Sequence, residues 1–155
     1  MPAPATRDYF AELYVAGLFG DAGWSVYFPK RDVGFDFIAT KLVRGTVLIR
    51  PIQVKGLYPT PTKVNKPTYG FKGDLTAVHD LMVLALPYFH STNPHAPDHV
   101  AFMPFDQFKN PSSGGVRCVP AQLHSGHSKP RPTFAKYFGK LGLQRVEFPN
   151  WGAGA

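Results

Sequence analysis

Four polar side chains in the first third of the chain have the types and spacing that metal-assisted chemistry on phosphate esters requires. Glu12 lies in a long apolar segment typical of a buried helix. Asp36 lies in a short apolar run typical of a strand, and the pair Gln53 and Lys55 closes the next such run. Because alternate residues of a strand point to one face, the side chains of Gln53 and Lys55 are predicted to project together.

The second and third predicted strands bring Asp36 to this pair if they form a hairpin. Arg44 and Gly45 are typical of the turn between them, and counting outward from that turn places Asp36 opposite Gln53. Pro51 lies inside the third strand and cannot donate to a sheet ladder. It therefore predicts an edge position or a bulge, which would shift the register by one residue.

A carboxylate, an amide and an ammonium group at one end of a sheet are suited to phosphodiester cleavage. Carboxylate and amide oxygens hold hard cations, so the predicted cofactor is Mg²⁺ or Mn²⁺. Such a cation polarises a phosphate and activates water, and a lysine stabilises the developing charge or positions the nucleophile.

This pattern resembles the PD-(D/E)XK nuclease superfamily, in which a helix is followed by a strand hairpin carrying an acid and then by a short (D/E/Q)-x-K element. Asp36 lies within GFDFIA, and the short element Gln53-Val54-Lys55 lies within PIQVKG. Glu12, within FAELYVAGLF, matches the helical acid of the Holliday-junction-resolvase-like and Mrr-like branches. The resemblance covers residues 5–56, and two later apolar runs agree with the fold without adding specific residues.

The resemblance implies a role for each of these positions. The Asp36 carboxylate, the Gln53 side-chain carbonyl and the Val54 backbone carbonyl would be metal ligands, with Glu12 assisting. Lys55 would act on the attacking water.

The chain departs from the family pattern at two places. Phe35 stands before Asp36 where the family often has proline, and Gln53 replaces an acid. A neutral amide oxygen holds a hard cation less well than a carboxylate does. Glu12 or a substrate phosphate would therefore have to supply the missing negative charge.

The apolar pattern predicts an α/β or α+β domain with a restriction-endonuclease-like core. We expect a central mixed sheet flanked by helices, in the order α-β-β-β-loop-β-β-α. The helix is predicted over 9–20 with Thr6 as its N-cap, and strands over 24–29, 35–41, 46–56, 80–89 and 99–105. Residues 57–73 and 110–132 are predicted loops, 134–141 a basic helix and 143–148 a last strand. We divide the chain into a nuclease-like core, 1–110, and a basic, loop-rich C-terminal extension, 111–155, packing on the same domain.

The charge distribution points to a polyanionic partner. The chain has 17 Lys and Arg against 10 Asp and Glu, and fourteen of those cations lie in two acid-free stretches, 37–73 and 107–146. Each neutralised phosphate releases counterions, so DNA is the expected partner, with RNA as the open alternative. The predicted nucleic-acid contacts are Arg50, Lys63, Lys66, Tyr69, Lys72, Lys136 and Lys140.

Composition excludes other classes. With 155 residues, 44% of them hydrophobic, the chain suits one folded domain and not a disordered tail. It has no apolar run of about 18 residues, and its first ten residues do not resemble a secretory signal, so neither a membrane partner nor secretion is expected. Cys118 is the single cysteine, which predicts a reducing compartment and thus the cytoplasm.

Three functions fit these observations. The first is a metal-dependent endonuclease that hydrolyses DNA, for which a homodimer would be one way to cut two strands. The second is a non-catalytic nucleic-acid-binding domain on the same fold, its metal site degraded at Gln53. The third is a basic protein-interaction module with an acidic partner.

Overall fold

The computed structural model describes residues 3–31, 34–109 and 115–152. Within these residues it contains two β-sheets and two α-helices. The helices are α1 (Ala3–Asp21) and α2 (Gly139–Arg145), with short 3₁₀ turns at Phe105–Gln107 and Pro132–Tyr137. The strands are β1 (Ser25–Tyr27), β2 (Phe37–Val43), β3 (Thr46–Val54), β4 (Lys66–Gly73), β5 (Val83–His90), β6 (Asn93–Pro104), β7 (Val116–His124) and β8 (His127–Pro130). Residues 110–114 of the loop predicted for 110–132 lie outside the described residues.

The central sheet is mixed, as predicted, with the order β1-β2-β3-β5-β6. β3 runs parallel to β5, and the other neighbours are antiparallel. β2 and β3 form the predicted hairpin: Phe37 lies opposite Ile52 and Val43 opposite Thr46, without a shift in register. The predicted register is therefore confirmed.

Pro51 produces no bulge but does occupy an edge position, one of the two predicted alternatives, although β3 as a whole is an inner strand. It lies opposite Ile38 in the continuous β2–β3 ladder. On its other side, the parallel pairing of β3 with β5 begins only at Ile52. Pro51 therefore lies one residue before the segment in which β3 pairs with two strands. At this position β5 forms no hydrogen bond with β3, so the missing N–H of Pro51 leaves no acceptor in β5 unpaired.

Each face of the central sheet has a different cover. On one face, α1 buries Ala11, Val15 and Phe19 against residues such as Phe37 and Ile52. The other face is covered by a second, antiparallel sheet with the order β4-β7-β8, and not by a helix. The prediction of a sheet flanked by helices is therefore wrong on this face, and the domain is α+β with one helix-covered side.

The second sheet occupies two segments that were predicted as loops. β4 lies inside 57–73, and β7 and β8 lie inside 110–132, within the predicted C-terminal extension. Their Gly and Pro content suggested loops, but it has a packing cause. A Cβ at Gly70 would overlap the Cys118 carbonyl of β7, so only glycine lets β4 approach so closely. Register shifts around Tyr69 also break the alternation that marks a strand.

The helix ends and the C-terminal segment also differ from the predictions. α1 begins at Ala3, so Thr6 lies within the helix and is not its N-cap. The predicted basic helix is split into the second 3₁₀ turn and α2, with Phe138 extended between them. The predicted last strand, 143–148, is wrong, because α2 continues to Arg145. Among the described residues, no helix combines the length and the apolar character needed to cross a membrane.

Arg50 is buried and joins β3 to the C-terminal segment through hydrogen bonds. Its side chain is 3% exposed, and burial lowers the pKa of its guanidinium. Nε donates to the Val146 carbonyl at 3.0 Å, and Nη2 donates to the Phe148 carbonyl at 3.2 Å. The predicted contact of Arg50 with nucleic acid is therefore wrong, since the group is occupied inside the fold.

We expect Arg50→Met to lower the free energy of unfolding by about 2 kcal/mol, because the Val146 and Phe148 carbonyls lose a charged donor. Urea titration followed by tryptophan fluorescence measures this, since Trp151 lies in the same segment. Arg44→Met, at the exposed hairpin turn, is the matched control and should change stability by less than about 0.5 kcal/mol. Equal stabilities of the two variants would contradict this role of Arg50.

Candidate active site

Asp36 is held across the hairpin by hydrogen bonds from β3. Its backbone N–H donates to the Ile52 carbonyl at 2.8 Å. One carboxylate oxygen, Oδ2, accepts the Val54 N–H at 2.6 Å and the Gln53 Nε2 at 3.2 Å. Asp36 immediately precedes β2, and its side chain extends the strand pairing beyond the end of the backbone ladder. The carboxylate is thereby fixed in place by short, charge-assisted contacts.

Asp36 and Gln53 meet as the hairpin register predicts. Gln53 is only 8% exposed, so its amide has little access to water and is oriented by Asp36. In the observed orientation the amide nitrogen faces the carboxylate. A half-turn of the amide group exchanges its nitrogen and oxygen at nearly the same positions.

This pair has the spacing of two neighbouring ligands of a small cation. Oxygens bound side by side at about 2.1 Å in an octahedral shell lie roughly 3 Å apart. The terminal atoms of Asp36 and Gln53 are separated by 3.2 Å. With the amide turned, two oxygens would present that separation, which is also the ordinary length of the hydrogen bond now observed.

Lys55 follows Gln53 on the face that meets the second sheet. Its backbone N–H donates to the Ala85 carbonyl at 3.0 Å, which continues the parallel pairing past the end of β3. Its Nζ lies 5.4 Å from the centroid of the Phe71 ring in β4. A contact of this kind contributes only about 0.5–1 kcal/mol at a partly exposed site, so the ammonium can leave the ring at small cost.

Glu12 lies on the helix side of a cleft that Asp36 also lines. It is partly buried on α1 and lines an open cleft of about 450 Å³ together with Asp36. Lys30 and Arg31, which follow β1, line the same cleft and are exposed. The sequence interpretation missed these two cations, because a Lys-Arg pair in a turn is ordinary surface composition and only the fold places it beside Asp36.

A cation at this site would depend on ligands that are not acids. Among the described residues, no group of three or more His, Cys, Asp or Glu side chains could hold a metal ion. The set available here is the Asp36 carboxylate, the Gln53 amide and the Val54 backbone carbonyl, with Glu12 contributing from the cleft. This ligand set carries few negative charges and would bind a cation weakly, as expected from the replacement of an acid by Gln53.

Comparison with known proteins finds no match. No protein-family model matches the chain, and no curated protein or solved structure is significantly similar to it. The resemblance to the PD-(D/E)XK superfamily therefore stays a prediction, carried by the motif and by the geometry described above.

The predicted nucleic-acid contacts divide into exposed and buried residues. Tyr69 is 7% exposed and packs against Tyr88, and burial raises the pKa of its hydroxyl to about 12. It is part of the core between the sheets, so its predicted contact with a base is wrong. The five lysines are exposed as predicted, namely Lys63, Lys66, Lys72, Lys136 and Lys140.

The second sheet brings together two cations, Lys72 and Arg117, whose pairing the sequence interpretation did not predict. Lys72 in β4 lies directly opposite Arg117 in β7, and both are exposed. Like charges at directly opposite positions destabilise a sheet, and a bound anion would relieve the repulsion. This pair was missed because 110–132 was predicted as a loop, which gave Arg117 no strand partner.

Proposed function

We propose that the chain is a Mg²⁺- or Mn²⁺-dependent endonuclease that hydrolyses DNA phosphodiester bonds on a restriction-endonuclease-like core. The observation that supports this best is the contact of Asp36 with Gln53 at the end of the β2–β3 hairpin, beside the cleft that holds Glu12. Glu12 supports the proposal because it lines the same cleft as Asp36. RNA is the alternative substrate that the same groups would accept.

In this proposal each residue has a separate task. Asp36 supplies the charged ligand, and Gln53 and Val54 supply two neutral oxygens. Glu12 adds a second negative charge from the cleft wall. When bound, the cation would polarise the phosphate and activate water. Lys55 would leave the Phe71 ring and stabilise the negative charge that develops on the phosphate.

We also propose a cellular location and an assembly. Cys118 is buried, and burial raises the pKa of its thiol to about 12, which suits a structural thiol in a reducing cytoplasm. A homodimer is proposed for the case of a duplex substrate, in which two strands would be cut.

The test is cleavage of supercoiled plasmid and of circular single-stranded DNA, each with Mn²⁺ and with EDTA. We expect nicking with Mn²⁺ only, and we expect Lys55→Met to reduce the rate about 100-fold or more by removing the charge that meets the phosphate. Lys109→Met removes the same charge from an exposed position outside the hairpin and should cut within about threefold of wild type. Equal rates for the two variants would show that Lys55 has no part in cleavage.

A non-catalytic nucleic-acid-binding domain is the second candidate, and one observation favours it. The Gln53 amide donates to Asp36, so the pair is already satisfied as a hydrogen bond without a cation. This function predicts salt-sensitive binding that EDTA does not change, and no cleavage with any divalent metal.

The opposed pair Lys72 and Arg117 gives a prediction shared by both candidates. Replacing both with Ala should weaken oligonucleotide binding and lower the slope of log K against log salt by about 1.5 to 2, since two phosphate contacts are lost. Fluorescence anisotropy at several salt concentrations measures the slope, with Lys109→Ala as the control. An unchanged slope would remove this face from the binding surface.

A further inference from the structure

The cleft that contains Glu12 and Asp36 has an aromatic wall that the proposed chemistry does not use. Tyr9 on α1 and Phe28 just after β1 both line it, with side chains 64% and 52% exposed. Leu13, one turn of helix after Tyr9, lines the same wall and is also exposed. Large apolar groups gathered at a concave site are typical of ligand contact.

The Phe28 ring is half-exposed and is supported by a neighbouring ring. It packs against the buried Phe37 ring, with centroids 5.7 Å apart. The rest of the ring faces solvent, so it is held in place and still available for contact. A supported, half-exposed ring is a suitable platform for a flat partner, because little side-chain entropy remains to be lost on binding.

Two carboxylates, of Glu12 and Asp36, and two cations line the cleft, so an anionic partner would meet positive charge only at the cations. Lys30 and Arg31 are exposed at its rim, next to the aromatic wall. Phosphates would meet these cations while a base stacks on a ring, which is how proteins hold single strands. A paired duplex keeps its base faces inside the stack and offers the rings nothing unless a nucleotide is extruded.

We propose that this cleft binds unpaired nucleotides, with bases stacked on Tyr9 and Phe28 and phosphates at Lys30 and Arg31, so that single-stranded nucleic acid is the preferred substrate class. This inference rests on the nucleic-acid part of the proposed function. It deepens that function by naming the strand structure that the site accepts. The cleft volume of about 450 Å³ is in the range of pockets that hold ligands of nucleotide size.

The experiment is fluorescence anisotropy in EDTA, which prevents cleavage, with a labelled oligo(dT) of about 15 nucleotides and a labelled hairpin duplex. We expect the single strand to bind at least about tenfold more tightly than the duplex. Tyr9→Leu and Phe28→Leu should each weaken single-strand binding roughly 5-fold to 100-fold, and leave duplex binding unchanged.

Tyr27→Leu is the matched control, since Tyr27 is 56% exposed, precedes Phe28 in the chain and does not line the cleft. It should bind both probes like wild type. Equal losses in Tyr27→Leu and Phe28→Leu, or equal affinities for the two probes, would overturn the proposal. So would a dimer in sedimentation that Phe28→Leu dissociates, because the wall would then be an interface between copies of this chain.

The outcomes also separate this inference from the proposed function. Single-strand binding that depends on Phe28, without cleavage in Mn²⁺, would keep the inference and reject the endonuclease. Cleavage that depends on Lys55, with single strands and duplexes bound and cut equally well, would keep the endonuclease and reject the inference.

Discussion

Asp36→Asn should abolish Mn²⁺-dependent cleavage, with a loss of at least about 100-fold, and leave the protein folded. Losing a partner that merely orients a ligand costs 10- to 100-fold, so losing the one hairpin carboxylate should cost more. The substitution keeps an oxygen that can accept the Val54 N–H, which Oδ2 of Asp36 accepts at 2.6 Å. It removes the charge that a hard cation needs.

Two measurements on this variant belong together. The first is the cleavage rate with Mn²⁺, and the second is the increase in melting temperature that Mn²⁺ produces, which should be much smaller than in wild type. Asp80→Asn, at an exposed position far from the hairpin in the chain, is the control and should behave like wild type in both. Full cleavage by Asp36→Asn would reject the assigned site even if the protein proves to be a nuclease.

Gln53→Glu should have opposite effects on the metal-free and the metal-bound protein. Without metal, the introduced carboxylate faces Asp36 at a position that is 8% exposed in wild type. Two like charges in such a place should lower the free energy of unfolding by roughly 2 kcal/mol at pH 7. With Mn²⁺, the same two carboxylates become a stronger ligand pair, and we expect metal affinity to rise about tenfold or more.

The pH dependence of Gln53→Glu has a definite sign. Repulsion raises the pKa of the carboxyl pair in the folded state, so the folded protein binds more protons than the unfolded chain does. The destabilisation should therefore be small near pH 4 and grow as the pH rises toward 7.

Urea titrations at several pH values, with and without Mn²⁺, measure both effects. Gln144→Glu, at an exposed position of α2, is the control and should show neither of them. A variant that is destabilised to the same extent with and without Mn²⁺ would mean that Asp36 and Gln53 form only a structural hydrogen bond.

The β2–β3 hairpin could be predicted because its signals are local. Two positive-φ residues, Arg44 and Gly45, make the tight turn, and counting outward from that turn gives the register on both sides of it. The contact of Asp36 with Gln53 follows from that register alone. This part of the candidate site therefore required no knowledge of the remaining fold.

The second sheet could not be predicted in this way, because its evidence is non-local. Tyr69 pairs with Ala121 and Phe71 with Cys118, and nothing in either segment alone identifies the partner. For the same reason the sequence does not distinguish a buried cation from one at the surface. Arg50 is buried because it donates hydrogen bonds to carbonyls of the C-terminal segment, which is far away in the chain. Exposure of Lys30 and Arg31 beside Asp36 likewise depends on how α1 and β1 meet.

In the chain, β4 lies between β3 and β5, although it belongs to the other sheet. This arrangement has a consequence for the order of folding. The β2–β3 hairpin closes through two residues, which takes microseconds in peptides of this kind. β4 must wait for β7, which follows much later in the chain, and closing such a long loop is entropically slow. We therefore expect the Asp36 end of the hairpin to form early and Phe71 to reach Lys55 only in the last stage of folding.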